Sequence, residues 1–308
     1  MRIMIAGGSG MIGRELTLLL SNSGDDVLIL SRNPEVVQEM PEGVKLFKWD
    51  GKTIGEWAQQ LEYCDAVVNL TGENLSGKGY FPKRWTEERK ALLVQSRVDS
   101  GNVLTKAIEM ATVKPSVFIQ ASGINYYKTQ QQKTMTEEDG NGDDFLANLG
   151  KEWEDSSQAV EALGLRRVLI RNGIVLSTRG GALPSVVLPY RLWVGGPLGN
   201  GHQIYSWIHI FDEVNAIKFL IQNSSAQGVY NLTAPNPVTN YEFGSTVGKV
   251  IKRPHYFQIP AIAMQIAFGE VSMTVLEGIR VMPKKLLDQG FVFKYPFLED
   301  ALINLLKK

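Results

Sequence analysis

The apolar positions of this chain fall into two alternating kinds of run. Short apolar stretches, several of them unbroken, occur at residues 3–6, 27–30, 44–47, 66–70, 117–120 and 168–171. Between them lie longer segments with apolar residues at helical spacing, at 11–22, 54–61, 86–111 and 144–163. The alternation predicts βαβ units and a parallel sheet, and runs without polar interruption predict strands covered on both faces. The expected fold class is α/β, a doubly wound Rossmann parallel sheet.

After residue 171 the pattern changes. Gly180-Gly181, Gly195-Gly196-Pro197 and Gly199-Asn200-Gly201 break up a segment that includes 183–194. A strand at 206–210, a helix at 211–222 and a strand at 229–232 follow. The tail from Asn240 reads as mainly helical, is interrupted at Pro254, Pro260 and Pro283, and ends in a helix at 298–306. The expected division is a nucleotide-binding domain over 1–175 that also uses residues near 205–233. Residues 176–204 and 234–308 then form a smaller, mostly helical C-terminal lobe.

Straight after the first strand comes G-G-S-G-M-I-G, residues 7–13, which contains both Gly7-x-x-Gly10-x-x-Gly13 and Gly8-x-Gly10-x-x-Gly13. A pyrophosphate can sit on a helix N-terminus only where the turn is tight and the backbone lacks Cβ atoms. With a strand before it and a helix after it, the loop predicts dinucleotide binding through Gly7, Gly10, Met11, Ile12 and Gly13. At the end of the second strand an NAD site usually carries an acid for the ribose hydroxyls. Ser31-Arg32 stands there instead, a hydroxyl and a guanidinium suited to a 2′-phosphate, so the expected cofactor is NADP(H). Asp50 closes the third strand as an acceptor for the adenine amino group or as plain strand-end chemistry. Asn69-Leu70-Thr71-Gly72 closes the fourth, where Leu70, Thr71 and Gly72 can lie against the adenosine half. Glu73 follows as a ligand contact or a loop hydrogen bond.

Composition narrows the partners. Lys+Arg and Asp+Glu are both 32, so there is no basic field for nucleic acid and no polybasic membrane patch. No stretch approaches a membrane span, and the N-terminus lacks a signal-peptide core. Cys64 is the only cysteine and cannot form an internal disulfide, which fits a reducing, cytoplasmic setting. His202 and His255 have no partners at metal-ligand spacing, so no metal is expected. His209, between Ile208 and Ile210, reads as a structural histidine sooner than a catalyst. The expected partner is a small-molecule substrate, with a homodimer left open.

Taken together, the glycine loop, Asp50, the 69–72 run, Trp207-Ile208-His209-Ile210-Phe211-Asp212 and Val229-Tyr230-Asn231 resemble an extended short-chain dehydrogenase/reductase. More narrowly, the chain resembles the YfcH-type, atypical epimerase family. The marks are Gly72-Glu73-Asn74, Arg84-Trp85-Thr86, Ser96-Arg97, Trp153-Glu154, the 171–176 run Arg-Asn-Gly-Ile-Val-Leu, the 195–199 run Gly-Gly-Pro-Leu-Gly, Arg280-Val281-Met282-Pro283, Lys285-Leu286 and Gly290-Phe291. The resemblance spans essentially the whole chain and implies NADP(H) binding, an oxidoreductase or epimerase activity on a small, sugar-like substrate, and a C-terminal lobe of unsettled role. Division-linked labels within the family imply the alternative, an NADP(H)-binding regulator or scaffold.

Short-chain dehydrogenases protonate the reacting oxygen with a tyrosine whose pKa is lowered by a lysine four residues on. No tyrosine here has that lysine: Tyr80 meets Arg84, Tyr126 meets Gln130, Tyr127 meets Gln131 and Tyr205 meets His209. On the helix where the pair belongs, Phe145 or Leu146 takes the tyrosine's approximate place, and Lys151 follows Ala147 out of register. Substitutes come from the loop after the fifth strand. Ser122 is the best match for the substrate-binding serine, with Gly123 the alternative one residue on. Tyr126 and Tyr127 read as loop packing or pocket walls first, and as candidate acids second, with Tyr127 preferred. The Gly195–Gly201 loop with Arg191, Trp193 and Trp207 is expected to build or cover the substrate pocket, the tryptophans as packing sooner than as sugar platforms, and Asn172 to touch ligand or to cap.

Overall fold

The computed structural model describes residues 1–77, 79, 82–129 and 133–307. Tyr80, Gln130 and Gln131, which entered the search for a tyrosine–lysine pair, lie outside them. Seven parallel strands form the central sheet: β1 (Arg2–Ala6), β2 (Asp26–Ser31), β3 (Lys45–Lys48), β4 (Ala66–Asn69), β5 (Val117–Gly123), β6 (Arg166–Asn172) and β7 (Gly228–Leu232). Their order across the sheet is β7-β6-β5-β4-β1-β2-β3, so the direction of winding reverses between β1 and β4. Ligands of such sheets bind beyond the carboxyl ends of the strands at that reversal.

The unbroken apolar runs have the cause the pattern implied. On β1, Ile3 and Ile5 join one core cluster while Met4 and Ala6 join the cluster on the opposite face. Helices α1 (Met11–Asn22) and α5 (Ile210–Gln222) cover the first face, and α2 (Glu87–Met110) covers the second. The 86–111 pattern has its start fixed by Thr86, whose side chain accepts from the Arg89 amide at 3.2 Å.

Two expected helices come out differently. The 54–61 pattern is a 3₁₀ segment at Glu56–Tyr63. The 144–163 pattern gives α3 over Phe145–Asp155 only, capped by Asp144 on the Ala147 amide at 2.8 Å. α3 stops where the Ser156 hydroxyl turns back onto the Trp153 carbonyl at 2.6 Å and packs into the gap left by Gly101 on α2.

The remaining chain is stitched to the sheet. A short strand at Ile174–Leu176 pairs in parallel with Trp207–His209. Helices α4 (Leu183–Arg191), α6 (Asn240–Ile251) and α8 (Leu298–Leu306) pack on these two strands around a separate core that contains Trp207. Between them α7 (Ala261–Phe268) lies against the outside without burying a residue. Among the described residues no helix is long and apolar enough to cross a membrane.

One buried charge is unpaired. Glu213 on α5 is fully buried, and neither carboxyl oxygen has a hydrogen-bond partner among the described residues. Burial pushes its carboxyl up to about 8. Between its ordinary range and pH 8 the unfolded chain releases this proton while the folded chain keeps it, so stability falls as pH rises. The melting temperature should therefore drop from pH 5 to pH 8, and Glu213→Gln should flatten that slope. Identical slopes in thermal melts of the two proteins would exclude this assignment.

Candidate active site

The glycine loop is packed too closely for side chains. Gly7 has φ +82°, and its carbonyl accepts the Gly10 amide at 3.0 Å. A Cβ on Gly13 would lie 2.4 Å from the Gly7 carbonyl oxygen, and one on Gly7 would lie 3.0 Å from the carbonyl carbon of Leu70. The loop thus presses the start of α1 onto the end of β4. Helix α1 begins without a side-chain cap and without an acid in its first turn, so its leading amides face outward as anion donors. The turn at Gly181 (φ +72°) closes over it, so near that a Cβ there would lie 3.1 Å from the Met11 sulfur. The residues present fit a dinucleotide pyrophosphate.

Around this cradle the strand ends gather the other expected contacts. Ser31 is buried at the end of β2, where its hydroxyl accepts the Asn33 amide at 3.3 Å. Arg32 beside it is exposed and has no hydrogen-bond or ion-pair partner among the described residues. Asp50 follows β3; its carboxylate accepts the amides of Lys52 and Thr53, each at 2.8 Å, and the Thr53 hydroxyl at 2.7 Å. These donors hold it below the usual carboxylate range.

Beyond β4 the Thr71 hydroxyl bonds Asn69 and, at 2.6 Å, Ser100. Gly72 is bare because the buried Arg97 guanidinium sits against it, 3.2 Å from where a Cβ would be. Arg97 donates to the carbonyls of Leu93 and Glu73 at 2.9 and 3.1 Å and stacks on Trp153. Burial lowers its pKa to about 10. Glu73 is held in the loop by Arg89 at 3.3 Å.

The helix that should carry a tyrosine and a lysine carries neither, and the structure shows what occupies their places. Leu146 lines the cavity beside the sheet, and one turn later Gly150 is bare. Tyr126 fills that space, its Cα 3.4 Å from where a Gly150 Cβ would be. Lys151 points to solvent and pairs with Asp155 at 2.8 Å.

Ser122 and Tyr127 both turn inward. The Ser122 hydroxyl donates to Glu154 at 2.7 Å, and Glu154 also receives Arg171 through Nε and Nη2 at 2.7 and 2.8 Å. Burial opposes the Arg171 charge, but the Glu154 pair outweighs it and holds the pKa above its usual range. The guanidinium also lies 3.4 Å from the Tyr126 ring centre. Tyr127 is wholly buried, donates to Asn231 at 2.7 Å, and burial pushes its phenol up to about 12. Neither hydroxyl is among the described residues lining the cavities.

Two neighbouring cavities lie beyond β5 and β6. The inner one, about 100 Å³, is walled by Asn125, Leu146, Asn172, Tyr205 and Thr274. The outer one, about 530 Å³, runs between Gly199–Asn200 and the 261–277 segment, and Met273 and Glu277 line both. Asn172 Oδ1 is buried at the inner wall with no hydrogen-bond partner among the described residues. Of the two readings of the tryptophans, packing describes Trp207, and neither Trp207 nor Trp193 is among the described residues lining the two cavities. Trp207 is entirely buried with its indole nitrogen on the Asn236 carbonyl at 3.1 Å, and Trp193 is exposed under Arg253. His209 is structural: Nδ1 accepts the Phe211 amide at 2.9 Å, capping α5, and burial lowers its pKa to about 4.

A parallel sheet with a bare glycine cradle at its winding reversal defines a dinucleotide-binding protein, and comparison with known proteins narrows this. A family described as NAD(P)H-binding matches residues 7–182, and a domain of unknown function (DUF1731) matches 259–305. The chain belongs to the NAD(P)H-binding epimerase family. It is 37% identical over 310 residues to the epimerase family protein YfhF of Bacillus subtilis, covering 99% of this chain and 98% of that one. It superimposes on the crystal structure of the human epimerase family protein SDR39U1 (isoform2) with NADPH at a TM-score of 0.86, with 32% identity and 99% of each chain covered. Thermus thermophilus UDP-glucose 4-epimerase in complex with NAD, at 18% identity and TM-score 0.76, shares the fold alone.

Proposed function

We propose that this protein is an NADP(H)-dependent oxidoreductase or epimerase acting on a small molecule held in the inner cavity. The observation that carries this reading is the buried Asn172 Oδ1, without a partner among the described residues, on a cavity at the carboxyl ends of β5 and β6, on the same edge of the sheet as the glycine cradle. A buried acceptor without a donor is costly unless a ligand supplies one. The cofactor, when bound, supplies or takes up hydride. The chain's own part is to hold its phosphates on the amides of α1, to accept a ligand N–H or O–H at Asn172, and to exclude water with Leu146. Asp144 caps α3, Glu270 is paired with Lys90, and the Tyr205 hydroxyl donates to the Val275 carbonyl at 2.7 Å, which leaves Glu277 as the ionisable side chain on the cavity wall for proton exchange. We place the activity in the cytoplasm, where the buried Cys64 thiol, pushed up to about 12 by burial, is inert.

The preference for NADP(H) rests on Arg32, free and exposed next to Ser31, and agrees with the NADPH in the human relative's structure. A charge-assisted hydrogen bond contributes about 1.5–3 kcal/mol. Arg32→Ala should therefore weaken NADPH binding roughly 10- to 100-fold and leave NADH binding nearly unchanged. Fluorescence titrations of the purified protein read both constants, and equal losses for the two cofactors would sink the assignment.

A further inference from the structure

The two cavities differ in charge from what a nucleotide-sugar site needs. Three carboxylates line them, those of Asp144, Glu270 and Glu277. No lysine, arginine or histidine is among their described lining residues. The cations nearest the rim are already engaged. Lys90 is held by Glu270 at 2.6 Å, and Arg84 is spent on the carbonyls of Ile266 and Ala267. Room is not the obstacle, since the outer cavity alone measures about 530 Å³. Charge is. A diphosphate brought there would lose its hydration, find no free cation among the described lining residues and face carboxylates in a partly desolvated cleft. The polar groups that do face the inner cavity, Asn125, Asn172 and Thr274, are neutral donors and acceptors matched to hydroxyl and carbonyl oxygens.

Resting on the oxidoreductase reading above, we infer that the substrate is a phosphate-free, neutral hydroxy-carbonyl compound or its alcohol, and that nucleoside-diphosphate sugars are excluded by charge. The step is a two-electron exchange. In the reducing direction the carbonyl carbon gains hydride from NADPH and the oxygen gains a proton, giving the alcohol and NADP+. Glu270 acts in the selection as a charge filter at the outer cavity, both through its own carboxylate and by neutralising Lys90.

The test uses the full chain loaded with NADPH. Initial rates of NADPH oxidation are compared for matched pairs, glyceraldehyde against glyceraldehyde 3-phosphate and erythrose against erythrose 4-phosphate. Titration calorimetry measures UDP and UDP-glucose binding to the same protein. The neutral member of each pair should be preferred at least about tenfold in kcat/KM, and neither nucleotide should bind below millimolar concentration. Glu270→Lys should reverse the filter and bring UDP-glucose binding into the measurable range. Submillimolar UDP-glucose binding to the unaltered protein, a preference for the phosphorylated members, or no oxidation with any neutral compound overturns the inference. NADPH affinity, read separately by fluorescence, tells these failures apart from failure of the cofactor reading. A Glu270→Lys protein that folds, binds NADPH and still ignores UDP-glucose removes the charge filter.

Discussion

Gly13→Ala is expected to abolish NADPH binding and to destabilise the fold by about 1–3 kcal/mol. The added methyl would lie 2.4 Å from the Gly7 carbonyl oxygen and 2.6 Å from the Gly8 Cα, both backbone atoms that no side-chain rotation can move aside. Relief requires α1 to slide away from β1, which takes its leading amides out of line with the phosphates they would hold. Gly140→Ala is the matched control, because a Cβ there meets nothing within 4 Å and should change neither property. Fluorescence titration with NADPH and urea denaturation of both variants check this. Cofactor binding by Gly13→Ala within threefold of the unaltered protein would refute the cradle.

Removing the carboxylate of Glu154 is expected to cost more stability than any other single truncation near the cavities, about 3–5 kcal/mol. Glu154 and Arg171 are both almost wholly buried, and Glu154→Ala leaves the guanidinium charged with no counter-ion and Ser122 without its acceptor. The loss then reflects a stranded charge, not the net strength of the pair. Replacing both partners by apolar residues, Glu154→Leu with Arg171→Met, should recover more than half of it. Urea denaturation of single and double variants reads the difference. If the double variant is no more stable than Glu154→Ala, the stranded-charge account fails.

The periodicity of the chain was a good guide wherever burial is uniform along an element. Helices α1 and α8 begin and end where their apolar spacing does, and of the six early apolar runs all are strands, five of them buried on both faces while edge strand β3 is not. It was a poor guide where one side chain ends an element. Asp144–Leu163 reads as one amphipathic segment, yet Ser156 turns back onto Trp153 and packs against Gly101 on α2, a contact fifty-odd residues away in the chain.

The candidate site divides the same way. The cradle was legible because it is local, a bare loop between one strand and one helix. Arg97, Glu154 and Asn231 were not singled out for the parts they play, because each acts on a group distant in sequence: Gly72 and Glu73, Ser122 and Arg171, and Tyr127 respectively. Only Trp153-Glu154, noted as a family mark, hinted that something charged mattered on α3.

Residue order settled that this is a dinucleotide-binding sheet, that Ser31-Arg32 and not an acid ends the second strand, and that no tyrosine–lysine pair exists, since each is a matter of spacing within a few residues. Folding decided what replaced the pair. Leu146 and Gly150 stand on α3 with Tyr126 packed into the gap, Ser122 and Tyr127 are committed to Glu154 and Asn231, and the cavity is lined by neutral and acidic groups. Those outcomes depend on which buried polar group finds which partner across the sheet, and a linear pattern carries no record of that pairing.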